Sequence, residues 1–188
     1  MYRYAIENLD KWKNSKNRKP LIIEGARQVG KTWIMKEFGK KSYNKTVYIN
    51  FDSNVQMAEL FSIDLNVERI IMGLELYAGH KRNPSDTLII FDEVQDCPRA
   101  RAAIKHLVKD GRFDYLETGS LISIKKNVKD ILIPSEEDSI EMHPMDFEEF
   151  LWAMGDEMLM PYINMKFDKK QPMGDFHRRA MDLFRQYM

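Results

Sequence analysis

Eight consecutive residues, Gly25-Ala26-Arg27-Gln28-Val29-Gly30-Lys31-Thr32, carry the spacing G-x-x-x-x-G-K-[ST]. Glycines at both ends allow positive φ values and a close backbone approach, so successive N–H groups can converge on phosphate oxygens. Lys31 adds a mobile ammonium for the β- and γ-phosphates, and Thr32 offers a hydroxyl to Mg²⁺. A helix opening at Trp33 would direct its positive end at the same anion. The pattern predicts a phosphate loop that binds ATP with Mg²⁺. Gly25, Ala26, Arg27, Gln28, Val29, Gly30, Lys31, Thr32 and Trp33 are its nucleotide contacts, and Lys31 also serves the chemistry.

A second group lies about sixty residues on, where the apolar run Thr87-Leu88-Ile89-Ile90-Phe91 ends in Asp92-Glu93. A carboxylate at the carboxyl end of a parallel strand faces the ligand crevice of an open α/β sheet. Asp92 is therefore the expected Mg²⁺ partner of Thr32, usually through a water. Glu93 is the expected general base for an attacking water, which points to hydrolysis rather than transfer to a second substrate.

These residues need elements to hold them, and the chain supplies them in order. Residues 20–24 form a short apolar run fit for a buried strand, and residues 33–38 continue as a helix expected to stop near Gly39. Residues 2–12 have amphipathic helical spacing, residues 14–19 form a polar link, and residues 46–51 are β-rich with a turn or helix cap at residues 52–54. Helical spacing returns over residues 67–78 and is broken at residues 83–86. Asp96 is placed to cap a helix with Pro98 at its first position, where the missing N–H costs nothing. Residues 113–117 read as a strand ending in Thr118-Gly119-Ser120, residues 139–143 as a last strand, and residues 144–152 and 177–187 as helices. Strands alternating with helices predict an α/β fold with a parallel sheet covered on both faces.

Composition removes several classes. The 188 residues carry 29 basic and 29 acidic side chains, so no global field argues for nucleic acid or membrane. Charge is uneven only locally: the first twenty residues are basic, and residues 135–149 hold seven acidic residues without Lys or Arg. The sequence shows no signal peptide and no apolar run of membrane-spanning length. The single cysteine, Cys97, suits a reducing cytoplasm and reads as a packing residue ahead of a helix. Nine of the 13 methionines lie from Met142 onward, which suggests a core seam or a partner surface in the last third. The final helix meets no glycine or proline before the last residue, an expectation that the sequence belongs to a longer chain. Its Met181, Leu183 and Phe184 face is expected to be poorly buried and to favour a homo-oligomer or a protein partner.

Four ordered motifs, G-A-R-Q-V-G-K-T, L-I-I-F-D-E-V-Q-D-C-P-R-A, T-G-S-L and H-P-M-D-F-E-E-F-L-W-A, resemble the bacterial and archaeal AAA-type ATPases that carry a nuclease-like C-terminal domain. The resemblance covers roughly residues 18–155. It implies a P-loop NTPase three-layer sandwich of ASCE type, in which the Thr118 strand lies between the Asp92 strand and the phosphate-loop strand. It implies that Thr118 or Ser120 senses the γ-phosphate and that Asn50 is a polar switch on a neighbouring strand. It divides the chain into residues 1–19 (helix and basic link), 20–155 (ATPase domain) and 156–188 (helical segment opening a lid or C-terminal region). Nucleic acid as a partner is implied by the resemblance alone.

An arginine finger and a lid arginine belong to the AAA pattern, and residues 130–139 contain no arginine. Arg99 and Arg101 are substitutes in principle, although Arg101, Lys105 and Lys109 have the spacing of a solvent-facing basic stripe. Arg27 could reach the phosphates from within the loop. The leading expectation is a slow Mg²⁺-dependent ATPase that drives or times a change in a partner domain. A nucleotide-gated binding module with negligible turnover is the alternative. A small-molecule kinase fits less well because Glu93 suits water activation, and a GTPase less well because N-K-x-D is missing.

Overall fold

The computed structural model describes residues 2–16, 18–79, 86–120 and 137–188, and of Ser120 the backbone alone. Its elements run α1 (Ala5–Lys13), β1 (Leu21–Gly25), α2 (Lys31–Ser42), β2 (Lys45–Asn50), α3 (Val55–Ser62), α4 (Val67–Tyr77) and β3 (Thr87–Asp92). After a 3-10 turn (Val94–Asp96) come α5 (Pro98–Asp110), β4 (Asp114–Ser120), β5 (Asp138–Met142), α6 (Phe147–Ala153), α7 (Leu159–Asp168) and α8 (Phe176–Tyr187). All described strand pairs are parallel, in the order β2-β3-β4-β1-β5. The strand bearing Asp92 is thus separated from the phosphate-loop strand by the Thr118 strand, as the resemblance implies.

Strand periodicity divides the core into two layers, because alternate side chains leave opposite faces of the sheet. Leu21, Ile23, Leu88, Ile90 and Leu116 pack with Ile34, Met35 and Phe38 of α2 and with Ile6, Leu9 and Trp12 of α1. Ile22, Val47, Ile49, Ile89, Phe91 and Tyr115 pack on the other face against α3, α4 and α5. The result is the three-layer α/β sandwich expected from the sequence. A third, smaller cluster joins Leu151, Leu159 and Ala180 with Phe147, Phe150 and Leu183 across α6, α7 and α8.

Several local expectations need correction. Helix α2 does not stop near Gly39 but runs on to Ser42. A glycine inside a helix costs roughly 1 kcal/mol. Here the glycine serves packing rather than termination: Gly39 is buried, and a Cβ on it would stand 2.7 Å from Thr46 Oγ1 of β2, so its lack of a side chain lets α2 lie close to the sheet. Asp96 does not cap α5: it ends the 3-10 turn, and Cys97 occupies the N-cap position without a side-chain bond. Cys97 is buried, and burial pushes its thiol pKa up, in keeping with a packing role. Helices α3 and α7 stand in segments without a clear apolar period; Asn54 caps α3 by accepting from Met57 N–H at 3.1 Å. The break at residues 83–85 lies outside the described residues.

Arg101 is also misplaced by its spacing. It is buried, ion-paired to Glu137 at 2.6 Å, and its Nε lies 4.0 Å from Glu117. A stripe at i,i+4 spacing turns to solvent only where the helix face is free, and here Glu117 of β4 and Glu137 draw its first member inward. Lys105 and Lys109 are exposed as the stripe predicts.

Glu117 accepts no hydrogen bond, and burial pushes its pKa up to about 8, with Arg101 opposing and Glu137 reinforcing the shift. The folded state therefore keeps a proton that the unfolded chain releases, and stability is lost as pH rises through the interval between the two pKa values. Urea unfolding should show stability falling from about pH 5 to about pH 8, and Glu117→Gln should flatten that slope.

Candidate functional site

Gly30 adopts the left-handed conformation, φ 94°, at the N-cap of α2, and its carbonyl accepts the first helical bond from Ile34 N–H at 3.0 Å. Gln28 also has positive φ, 65°. The loop thus winds tightly between β1 and α2, which brings Lys31 and Thr32 into the first helical turn. Lys31 is 7% exposed, and its ammonium donates to Gly25 O at 3.0 Å and Ala26 O at 2.6 Å, the loop's own carbonyls. Burial lowers the Lys31 pKa, while Glu93 and Asp92 oppose that shift.

Across the crevice Asp92 ends β3 almost wholly buried. Its Oδ2 accepts from Thr32 Oγ1 at 2.8 Å and from Tyr48 OH at 2.6 Å, and its Oδ1 from Thr118 Oγ1 at 2.6 Å. Burial and the bond to Asp92 push the Tyr48 pKa up to about 12, so the phenol remains a donor. Glu93 follows in left-handed backbone, φ 54° and ψ 48°. That conformation is costly for a residue with a side chain and clusters at functional sites. Gln95 Nε2 donates to Glu93 Oε2 at 2.5 Å.

Arg27, Gln28, Gly30, Lys31, Thr32, Trp33 and Glu93 line one cleft of about 460 Å³. The structure therefore brings together the loop, Lys31, Thr32, Asp92, Glu93 and Thr118. Asn50 instead accepts from Asp52 N–H and Ser53 N–H, and reaches the group only through Tyr48 at 3.4 Å. The side chain of Ser120 lies outside the described residues. Arg99 donates to Phe61 O at 2.8 Å and Arg101 holds Glu137, so both are engaged away from the cleft. Tyr48 escapes a linear reading because it sits one strand away; only the register, with Tyr48 opposite Ile90 and Asn50 opposite Asp92, puts its hydroxyl on Asp92.

The sequence pattern of a family described as an AAA domain matches residues 17–151. The chain belongs to that AAA-domain family. It carries an AAA ATPase domain, of a class that binds nucleotide and hydrolyses ATP, and the parallel sandwich is the fold of that class. No curated protein matches the chain. Among solved structures it is similar to the Aeropyrum pernix ORC1 protein in complex with DNA, with 13% identity over 80% of this chain and 47% of that one, at a TM-score of 0.47. It is also similar to C. elegans PCH-2, with 19% identity over 87% of this chain and 45% of that one, at a TM-score of 0.41. The AAA chain described here spans under half the length of either. Among the described residues no helix is long and apolar enough to cross a membrane.

Gly25 fixes where the loop of this AAA domain begins. A Cβ on Gly25, which has φ 154°, would stand 2.2 Å from Met142 O of the adjacent β5. Because that neighbour is backbone, no rotamer relieves the clash. Gly25→Ala should cost at least about 2 kcal/mol of stability in urea unfolding and displace the loop.

Proposed function

We propose that this AAA domain binds Mg-ATP in the cleft between the phosphate loop and β3, hydrolyses it slowly, and uses the cycle to drive or time a change in a partner domain. One observation carries the reading: Thr32 and Asp92, sixty residues apart, are joined at 2.8 Å beside Lys31 and Glu93. The donor set fits the metal. A hydroxyl and a carboxylate are hard oxygen ligands, and Mg²⁺ is held by one or two carboxylates together with nucleotide phosphates. No group of three or more His, Cys, Asp or Glu side chains placed to hold a metal stands among the described residues, so the phosphates would complete the shell. Bound there, Mg²⁺ would neutralise charge developing on the phosphates.

The chain's own groups then divide the work. Lys31 exchanges the Gly25 and Ala26 carbonyls for phosphate oxygens, a charge-assisted and stronger set of bonds. Glu93 takes a proton from the attacking water at its carboxylate, and Thr118, bonded to Asp92, holds the metal-side carboxylate in place. With Arg99 and Arg101 engaged elsewhere, Arg27 is the arginine lining the cleft. A finger arginine contributes about 10³ to 10⁵ in rate, so slow turnover by the chain alone follows unless a partner supplies one. The exposed Phe167, Met158 and Met181 of the last helices are the surface for such a partner, whether a second copy or another protein. On the same resemblance, the ATPase domain spans residues 20–155, with residues 1–19 a helix and basic link and 156–188 the opening of a lid or C-terminal region, and a nuclease-like domain and nucleic acid are the partners it suggests.

Lys31→Ala should lose most of the thermal stabilisation given by Mg-ATP while leaving the unliganded melting temperature near that of the parent. Equal stabilisation of both would remove the phosphate-loop assignment. Glu93→Gln should keep Mg-ATP binding but reduce single-turnover hydrolysis by about two orders of magnitude, the scale of a missing general base. Undiminished turnover would move the base role to another residue.

A further inference from the structure

Arg3 lies outside the segment matched to the AAA family, yet the residue is 3% exposed. A charge that deep persists only where its partners are well placed. Nη1 donates to Val29 O at 3.1 Å and Nη2 to His143 O at 2.9 Å. Nε stands 3.0 Å from Glu149 Oε2, an ion pair at an angle outside hydrogen-bond geometry. These three acceptors belong to the phosphate loop, the chain just after β5, and α6.

Glu149 is itself tied down. It is 5% exposed; its Oε1 accepts from Tyr4 N–H at 2.9 Å, and with Asp146 it forms the capping box that opens α6. Tyr2 and Tyr4 lie edge-on to Trp152 of α6, with ring centroids 5.3 and 4.9 Å away. Val29 and Gly30 share a peptide unit, which is planar and trans, so its C=O and N–H point in opposite directions. Fixing the Val29 carbonyl therefore aims the Gly30 N–H away from Arg3. A planar fork can serve three acceptors at once, which an ammonium on a flexible stem cannot do with the same geometry.

We propose that Arg3 is a positioning residue of the nucleotide site: it turns the Val29–Gly30 peptide so that the Gly30 N–H serves the phosphate cradle, and it couples that loop to α6 through Glu149. The inference rests on the reading of the loop as the nucleotide site. Because coupling is reciprocal, whatever moves α6 changes nucleotide affinity by the same factor that nucleotide changes α6. The C-terminal helices thereby acquire a route to the loop that bypasses the Asp92 group.

The test labels the full chain with 5-fluorotryptophan, whose three ¹⁹F resonances report Trp12, Trp33 in the cleft and Trp152 on α6. Single Trp→Phe variants assign them. On titration with Mg-ATP the parent should move both the Trp33 and Trp152 resonances with one midpoint. In Arg3→Lys the Trp33 midpoint should rise about tenfold, within the usual range of coupling between sites, and the Trp152 resonance should stay still. The doubly neutral variant Arg3→Gln/Glu149→Gln removes both buried charges together, should behave in the same way, and carries the test if Arg3→Lys does not fold. Parent-like midpoints and Trp152 shifts in the variants would overturn the proposal and leave Arg3 a purely structural residue. A parent in which Trp33 moves and Trp152 does not would overturn the coupling. A parent in which neither resonance moves would overturn the nucleotide site itself, and the proposal with it.

Discussion

The site is organised by one buried carboxylate. Asp92 is 1% exposed, and an ionised group taken that far from water must be met by donors. Thr32 supplies one from α2, Tyr48 one from β2 and Thr118 one from β4, while the N–H of Glu93 adds a fourth at 3.2 Å. Hydrogen bonds to a charged acceptor are short and roughly twice as strong as neutral ones, as the 2.6 Å separations to Tyr48 and Thr118 reflect. The strand order follows from the same requirement. Only a strand lying between β2 and β4, and facing the helix that leaves the phosphate loop, can receive all of these donors.

The strand period then separates the chemistry from the bulk of the core. Asp92 and Thr118 share the face that meets α1 and α2, while Phe91 and Glu117, their neighbours in sequence, face α3, α4 and α5. On that second face Phe51, Phe61, Phe91 and Tyr115 form a run of tilted and edge-to-face rings with centroids 5.5 to 6.2 Å apart. The backbone that presents Asp92 is thus held from behind by this run of packed rings. Glu93, one residue further, leaves the sheet in left-handed backbone, so strain appears only where the strand has ended.

How much of this was legible depended on how locally each feature is encoded. The loop from Gly25 to Thr32 and the strand ending at Asp92-Glu93 announce themselves, because glycine spacing and an apolar run are properties of neighbours in sequence. The alternation of strands and helices gave the layers for the same reason. Tyr48 was hidden because its role exists only through register with a strand some forty residues later. Arg101 was misread because helical spacing says which face a residue occupies and nothing about which elements cover it; Glu137 and Glu117 turn an apparent surface cation into a buried one. Asp96 had the chemistry of a cap, but the 3-10 turn absorbed it before α5 began. Arg3 gave no signal at all, since a lone arginine before an amphipathic helix reads as a solvated charge.

The span of Arg3's contacts has a consequence for the birth of the protein. Its acceptor at His143 lies 140 residues away, and Glu149, which also takes the Tyr4 N–H, lies 145 residues from Tyr4. The donors around Asp92 are all present once Thr118 has been made, whereas the support behind Val29 awaits β5 and α6. Contacts so distant in sequence form late, after the entropy of closing a long loop has been met. On the ribosome, the first four strands and the buried carboxylate with its donors are therefore complete before the fifth strand is added and the phosphate loop is braced. A nascent chain passes through a stage in which Asp92 already has its donors while Arg3, beside Val29, still lacks its partners at His143 and Glu149, which come only with β5 and α6.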